Sequence, residues 1–220
     1  VWGAGVNFDG VSQYAALPDV SYTDEFTLSF WFKLADNTGT GLRTLYAHGA
    51  QGTQGSLNVF FVESGNATSG GPADMLRTRL LDSDDSDNLT GLDVAAAGLT
   101  DGQWHLYALT TSSGAGSSVY VDGALRASSA NGGAAMNPAG GALLGADAAM
   151  QPGTFLKGAL DSVALYDRSF GATEVADLHT GGSRVASITV NVAPTASTAP
   201  VITSDGGNPT ASVAIWEGTT

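Results

Sequence analysis

The side chains best suited to chemistry in this chain are its acids, and they are unevenly placed. Asp82, Asp84, Asp85 and Asp87 fall within six residues of the run LLDSDDSDNLTG. Four carboxylates this close repel one another, and a hard divalent cation such as calcium relieves that repulsion by accepting their oxygens. The spacing is not that of a helix-loop-helix calcium loop, which needs glycine at its sixth place; counted from Asp82, that place holds Asp87. An irregular cation site and a solvated acidic loop both remain open for this run. Asp9 precedes Gly10, so it reads either as a solvated turn or as a cation ligand beside a glycine that leaves carbonyls, its own included, free to coordinate. Asp161 lies in ALDSVALYD, where strict alternation puts it on the same face as Val163 and Leu165. A carboxylate on an apolar face needs a partner, because burying it unpaired is expensive.

Other chemistries are poorly supplied. Twenty-one acidic residues against eight basic ones give a net charge of −13, which repels a phosphate backbone, so nucleic acid is not an expected partner. Cysteine is absent, which excludes disulfides, thiolate metal sites and thiol catalysis. His48, His105 and His179 have no zinc-type spacing, and His105 beside Trp104 reads as structural. Glu25, Glu63, Glu174 and Glu217 are isolated, and no strand alternates acids as a glycosidase sandwich often does. The glycine pairs lack the third glycine and following helix of a dinucleotide loop. The chain is therefore expected to be non-catalytic.

The elements that must position these acids are strands. Only 13% of the residues are charged while 43% are hydrophobic, and 30 glycines punctuate the chain, which suits many short strands joined by turns. DGQWHLYALTTSSGAGSSVYVDG, residues 101 to 123, is the organising stretch. Trp104, Leu106 and Ala108 alternate with His105, Tyr107 and Leu109, so both faces are apolar and this strand belongs inside a sheet. Asp122-Gly123 suits a tight hairpin turn. FTLSFWFKL sets Phe26, Leu28, Phe30 and Phe32 on a core face, leaving Trp31 either packed under a second layer or free to stack on a sugar. VNFDG, TLYAHG, SLNVFFVES, MLRTRLLD and ALLGA add further strands, and the regular punctuation predicts a sandwich or barrel. The one helix signal is GATEVADLHTGG, with Gly171 as N-cap, Glu174 three residues in, and Phe170 and Val175 as a hydrophobic staple; it is expected to be a lid or a cap over a sheet edge, not a catalytic element.

Three blocks together resemble a known family. FDGVSQYAAL, TDGQWHLYALT with SVYVDGALRAS, and FLKGALDSVALYDRSFGATEVADL are similar to the laminin-G-like, concanavalin A-like domains of bacterial surface and secreted proteins. The resemblance implies an all-β fold, a two-sheet antiparallel jelly-roll β-sandwich with one short helix, over residues 1–182. It also implies calcium: Asp9 and Asp161 match the acidic positions of the first and last blocks and are expected to share a structural ion. Asp82, Asp84, Asp85 and Asp87, with Asp147 after ALLGA, become the candidates at the loop rim. Residues 183–199 read as a terminal strand and Pro/Ala/Thr linker. Residues 200–220 are similar to the truncated start of a cadherin-like repeat in adhesins, where Glu217 matches an interdomain calcium ligand; VNVAPTASTAP, however, lacks the family's acidic linker.

These readings converge on a calcium-associated recognition module of a large extracellular protein, binding carbohydrate or a cell-surface protein and joined to neighbouring domains of its own chain. No apolar run reaches membrane-spanning length, so membrane insertion is not expected. VWGAGVNFDG has no leader-like core, so an export signal is expected outside this stretch. The alternatives are a structural spacer and an ancillary carbohydrate-binding module of a polysaccharide-degrading enzyme.

Overall fold

A computed structural model describes residues 5–18, 22–34, 36, 39–51, 53, 55–65, 74–81, 89–132 and 141–181. The acidic run at Asp82–Asp87 and residues 182–220, where the linker and the start of a cadherin-like repeat were expected, lie outside the described residues. The strands in chain order are β1 (Val6–Asp9), β2 (Ala15–Ala16), β3 (Phe26–Lys33), β4 (Leu42–His48), β5 (Leu57–Val62), β6 (Met75–Leu81), β7 (Leu89–Ala95), β8 (Trp104–Ser112), β9 (Gly116–Val121), β10 (Ala124–Ser129), β11 (Leu143–Leu144) and β12 (Lys157–Tyr166), followed by the helix α1 (Ala172–Thr180). They form two six-stranded antiparallel sheets. The first runs β1-β12-β3-β8-β9-β10 and the second β2-β11-β4-β5-β6-β7. This is the all-β two-sheet sandwich expected, consistent with a jelly roll.

The core lies between the sheets. Phe26, Leu28, Phe30 and Phe32 enter it from β3, Tyr107 and Leu109 from β8, and Leu57, Val59 and Phe61 from β5. Alternation also puts Leu76, Thr78 and Leu80 of β6 inside, and the Thr78 hydroxyl bonds the Tyr107 hydroxyl at 2.7 Å across the two layers. That bond satisfies both polar groups where water is excluded, and burial drives the Tyr107 phenol's pKa up. As its two apolar faces require, β8 is an internal strand, paired with β3 on one side and β9 on the other. Asp122 and Gly123 form the β9–β10 turn with φ of 53° and 75°, the two left-handed positions of a tight hairpin.

The two outer faces are treated differently. That of the first sheet is closed by α1: Val175 packs with Ala108, Tyr120 and Phe170, and His179 stacks on Trp31 at 5.8 Å. Trp31 is 8% exposed, so it is a packed ring rather than a sugar platform. Of the two roles expected for the helix, a lid or a cap over a sheet edge, the packing on Ala108 and Tyr120 places it over a sheet face. Its ends match the sequence signals, with the Gly171 amide donating to Glu174 Oε2 at 3.0 Å and Gly181 left-handed at φ 75°.

Two strands went unread in the sequence. β10 is an edge strand with mostly exposed side chains, so it has no apolar stripe. β7 contains Gly91 and Asp93, residue types depleted in strands, although Leu92 and Val94 alternate into the core.

Gly116 ends the loop of the β8–β9 hairpin at φ 80°, and a Cβ there would stand 2.1 Å from the Ser129 carbonyl oxygen of β10. Both the left-handed backbone and the backbone contact exclude a side chain. Gly116→Ala is expected to cost roughly 3 kcal/mol and lower the thermal midpoint by about 8 °C. A shift of under about 2 °C in a thermal melt would show that the hairpin tolerates the substitution.

Candidate functional site

The expected acid pairs do not form. Asp9 pairs with Lys157 and Val6 with Leu160, so Asp161 lies one residue beyond the far end of β1 from Asp9. Lys157 and Asp161 are four residue steps apart along β12, about 13 Å of travel. The two carboxylates therefore do not share an ion. Each serves its own turn. Asp9 Oδ1 accepts the amides of Val11 (2.8 Å), Ser12 (3.1 Å) and Gln13 (3.3 Å), which lowers its pKa. Gly10 takes the left-handed φ of 77° that this turn needs, close against Arg43 and Lys157.

Asp161 also faces the other way from the expectation. Between Asp161 and Ala164, β12 advances three residues while β3 advances two, from Trp31 to Ser29. This bulge, with Ser162 at φ 50°, resets the alternation. Val163 and Leu165 pack on the core, whereas Asp161 stands opposite Trp31 and accepts the Ser162 amide at 2.7 Å. Asp147 likewise organises its own loop, accepting the Gln151 amide at 3.2 Å and the Thr154 hydroxyl at 3.0 Å. Among the described residues, no three His, Asp or Glu side chains form a group that could hold a metal ion. The run at Asp82–Asp87 lies outside the described residues.

Two charged clusters that the sequence reading passed over are built into the ends of the sandwich. Glu63, 2% exposed, receives Arg43 Nε at 2.7 Å and the Gly41 amide at 2.6 Å, tying the entry of β4 to the end of β5. His105 is held between two carboxylates, with Nδ1 2.8 Å from Asp122 Oδ2 and Nε2 3.1 Å from Asp101 Oδ1. Asp122 Oδ1 accepts the Leu106 amide at 2.9 Å and lies 3.8 Å from His179 Nε2 of α1. The Asp-Gly-Gln-Trp-His and Asp-Gly signatures are therefore one latch, which joins the hairpin to the helix. His105 is structural, as its strand position suggested.

The remaining polar concentration is on the outer face of the second sheet. In one cross-strand row stand Asn58, Arg79 and Gly91; in the next, Thr44, Phe60, Arg77 and Asp93. Arg79 Nη1 is 2.6 Å from Asp93 Oδ1 and 2.9 Å from the Thr78 carbonyl oxygen, and Arg77 Nε is 3.7 Å from Asp93 Oδ2. A Cβ on Gly91 would lie 3.2 Å from Arg79 Nη1 and 3.4 Å from its Cζ, so the guanidinium reaches across the gap this glycine leaves. Asn58 is 3% exposed, and its Nδ2 has no hydrogen-bond partner among the described residues. Arg79 and Asp93 are 17% and 32% exposed while Arg77 is 4% exposed, so only the β7 edge of the face meets solvent. The signal was present in Arg-Thr-Arg of MLRTRLLD: alternation sends Thr78 inward and both arginines outward together. A second concavity, a cleft of about 320 Å³ beside β1 and β12, holds the half-exposed Lys157–Asp36 ion pair at 3.1 Å.

Two antiparallel six-stranded sheets with one outer face closed by a helix and the other polar define a jelly-roll β-sandwich of the lectin-like type. Residues 9–176 match the Laminin_G_3 family, described as the concanavalin A-like lectin/glucanases superfamily, and the chain belongs to that family. A search of the curated proteins finds no sequence match. Among solved structures, the chain is similar to the CBM40 of the Ruminococcus gnavus IT-sialidase, with 14% identity and a TM-score of 0.58 over 81% of this chain and 97% of that one. It is similar to domains LG4-5 of the mouse laminin α1 chain (15%, TM-score 0.54, 78% of this chain and 44% of that). It is also similar to the binding domain of botulinum neurotoxin serotype G (14%, TM-score 0.55, 76% and 39%). It spans less than half of these last two, and at such identities the likeness is one of fold.

The latch predicts a pH dependence. Burial pulls the His105 pKa down, but the Asp122 and Asp101 carboxylates outweigh it and the net shift is upward. A raised histidine stabilises fully below its unfolded value of about 6.5, and the effect is lost as pH rises through the folded value. Asp101 is lowered by the Gln103 amide and by His105, so its contribution is present above about pH 4 and lost as pH falls through its folded pKa. The gap in melting temperature between wild type and His105→Gln is expected to be widest between about pH 4 and 6.5 and to shrink on either side. A gap that stays constant from acid to alkaline pH removes the charged latch.

Proposed function

We propose that this domain is a non-catalytic recognition module of an extracellular protein, binding carbohydrate or a cell-surface partner. The observation that carries this reading is the outer face of the second sheet, where Arg79 and Asp93 are partly exposed beside a buried Asn58 amide nitrogen that has no hydrogen-bond partner among the described residues. A face that only positioned neighbouring domains would gain nothing from an unsatisfied buried donor, which costs stability. The fold's neighbours include carbohydrate-binding and receptor-binding domains, which supports the same reading.

The electrostatics support a binding role over hydrolysis. A glycosidase acid needs a raised carboxyl pKa so that it holds a proton near neutrality. Asp9, Asp101 and Glu174 all move down, each held by backbone amides or by His105 or Arg168. Among the described residues, no helix is long and apolar enough to cross a membrane. An extracellular setting, alongside neighbouring domains of the same chain, is part of the proposal. Calcium enters only through Asp82, Asp84, Asp85 and Asp87.

Two measurements test this reading. On an array of neutral and acidic glycans the domain is expected to bind at least one class in a saturable way; silence there and on cell surfaces favours a structural spacer. Melting in about 1 mM calcium against excess chelator is expected to raise the midpoint, since a ligand bound only by the folded state stabilises it. An unchanged midpoint removes calcium and leaves the recognition reading intact.

A further inference from the structure

We propose that the cleft beside β1 and β12 is a second binding site, one that takes a single neutral sugar ring by its hydroxyls. The inference rests on the carbohydrate reading above and adds to it a site on the opposite sheet from Asn58, with its class of ligand.

The cleft follows from the pairing of the first sheet. Asn7 of β1, Ala159 of β12, Lys33 of β3 and Trp104 of β8 stand in one cross-strand row. Phe8, Leu160 and Phe32 point into the core, so period two sends Asn7, Ala159 and Lys33 outward. Ala159 is the short member of the row, and together with Asn7 and Lys33 it lines a cleft whose far wall is Lys157, Asp36 and Gly102. Gly102 is fixed there by its amide, which donates to the Leu34 carbonyl oxygen at 2.8 Å. The volume is about 320 Å³, at the small end of the range for ligand sites, with room for one ring rather than a chain of them.

The polar groups around this cleft are open to solvent and only partly engaged. Lys157 and Asp36 are 58% and 38% exposed. Their contact, at 3.1 Å, uses Asp36 Oδ2 and leaves Oδ1 and two of the three ammonium N–H groups without a protein partner among the described residues. An exposed pair of this kind contributes little stability, so a ligand can share it at small cost. Asn7 is exposed, and its side-chain amide makes no hydrogen bond among the described residues. The Lys33 ammonium lies 5.3 Å from the centre of the Trp104 ring and has no carboxylate partner among the described residues.

The mixture of these groups sets the ligand. Asp36 only accepts, the two ammonium groups only donate, and the Asn7 amide does both. An anion would meet the Asp36 carboxylate, and a cation would meet Lys33 and Lys157. An apolar ligand would strip water from all four groups without replacing its hydrogen bonds. A hydroxyl donates and accepts at once, and several on one ring answer the carboxylate, the ammonium groups and the amide together. A neutral monosaccharide presents that surface, and the chain's net charge of −13 does not oppose its approach.

The test is an NMR titration of the protein with methyl α-mannoside, methyl β-galactoside, methyl β-N-acetylglucosaminide and the terminal monosaccharide of any glycan bound on the array, with acetate as the control. At least one sugar is expected to shift the amide resonances of Gly102, Gly158 and Ala159 saturably while Gly91 on the other sheet stays still, and acetate is expected to move none of them. Asn7→Ala and Asp36→Ala are each expected to weaken that binding about fivefold, the loss of one hydrogen bond. Neither residue is in the core, so both variants are expected to melt within about 2 °C of wild type. Acetate moving the three amides as strongly as a sugar overturns the neutral-ligand assignment, and sugar shifts that survive both substitutions undiminished overturn the cleft. If glycans bind on the array and no sugar moves these resonances, the inference falls while the recognition reading stands. Silence in both experiments sinks the inference together with the carbohydrate half of that reading.

Discussion

The register of β5, β6 and β7 is the constraint from which the rest follows. Side chains alternate with a period of two, so one step of slip in β6 would turn Leu76 and Leu80 outward and drive Arg77 and Arg79 into a core lined by Phe32, Phe61 and Leu109. Burying two guanidinium groups there without partners costs several kcal/mol each, far more than the register's own hydrogen bonds could recover. The Thr78–Tyr107 bond adds a second lock, because it exists only when Thr78 is the inward residue of the β6 centre. The same register that closes the core aligns Asn58, Arg79 and Gly91 in one row. Core and site are thus fixed by a single choice of pairing.

The sandwich then divides its outer faces by chemistry. On the first sheet, Ala108 and Tyr120 present apolar surface, and α1 returns to cover it through Val175. The Asp122-Gly123 turn holds the helix there: a Cβ on Gly123 would lie 3.2 Å from Ala176 Cα, and Asp122 faces His179. On the second sheet, arginine, asparagine and aspartate occupy the equivalent outward positions.

Much of this architecture was legible in the sequence because long alternating strands state their faces plainly. β3 and β8 each place their large apolar groups where period two predicts, and Gly171, Glu174 and Gly181 mark the helix ends. What was not legible depends on breaks in that period. The bulge at Asp161–Ala164 inserts one residue, and no local residue type announces it, since Ser162 takes a left-handed conformation that favours glycine or asparagine. Reading Asp161 as buried with Val163 and Leu165 was therefore wrong by one position. The separation of Asp9 from Asp161 is a cross-strand register, which no single strand encodes. β10, lying exposed at an edge, had no pattern to read.

The acids themselves explain why carboxylate density was a poor guide to the site. A carboxylate in a turn competes for the nearest unpaired amides, and these are supplied by the turn it helps to make. Asp9, Asp147 and Asp161 each use an oxygen in this way, and Asp101 and Asp122 divide theirs between amides and His105. An acidic chain with many short turns thus employs its acceptors internally. Among the described residues, the buried Asn58 Nδ2 that is left without a partner is a donor. Carboxylate density in such a chain therefore marks its turns before it marks a binding site.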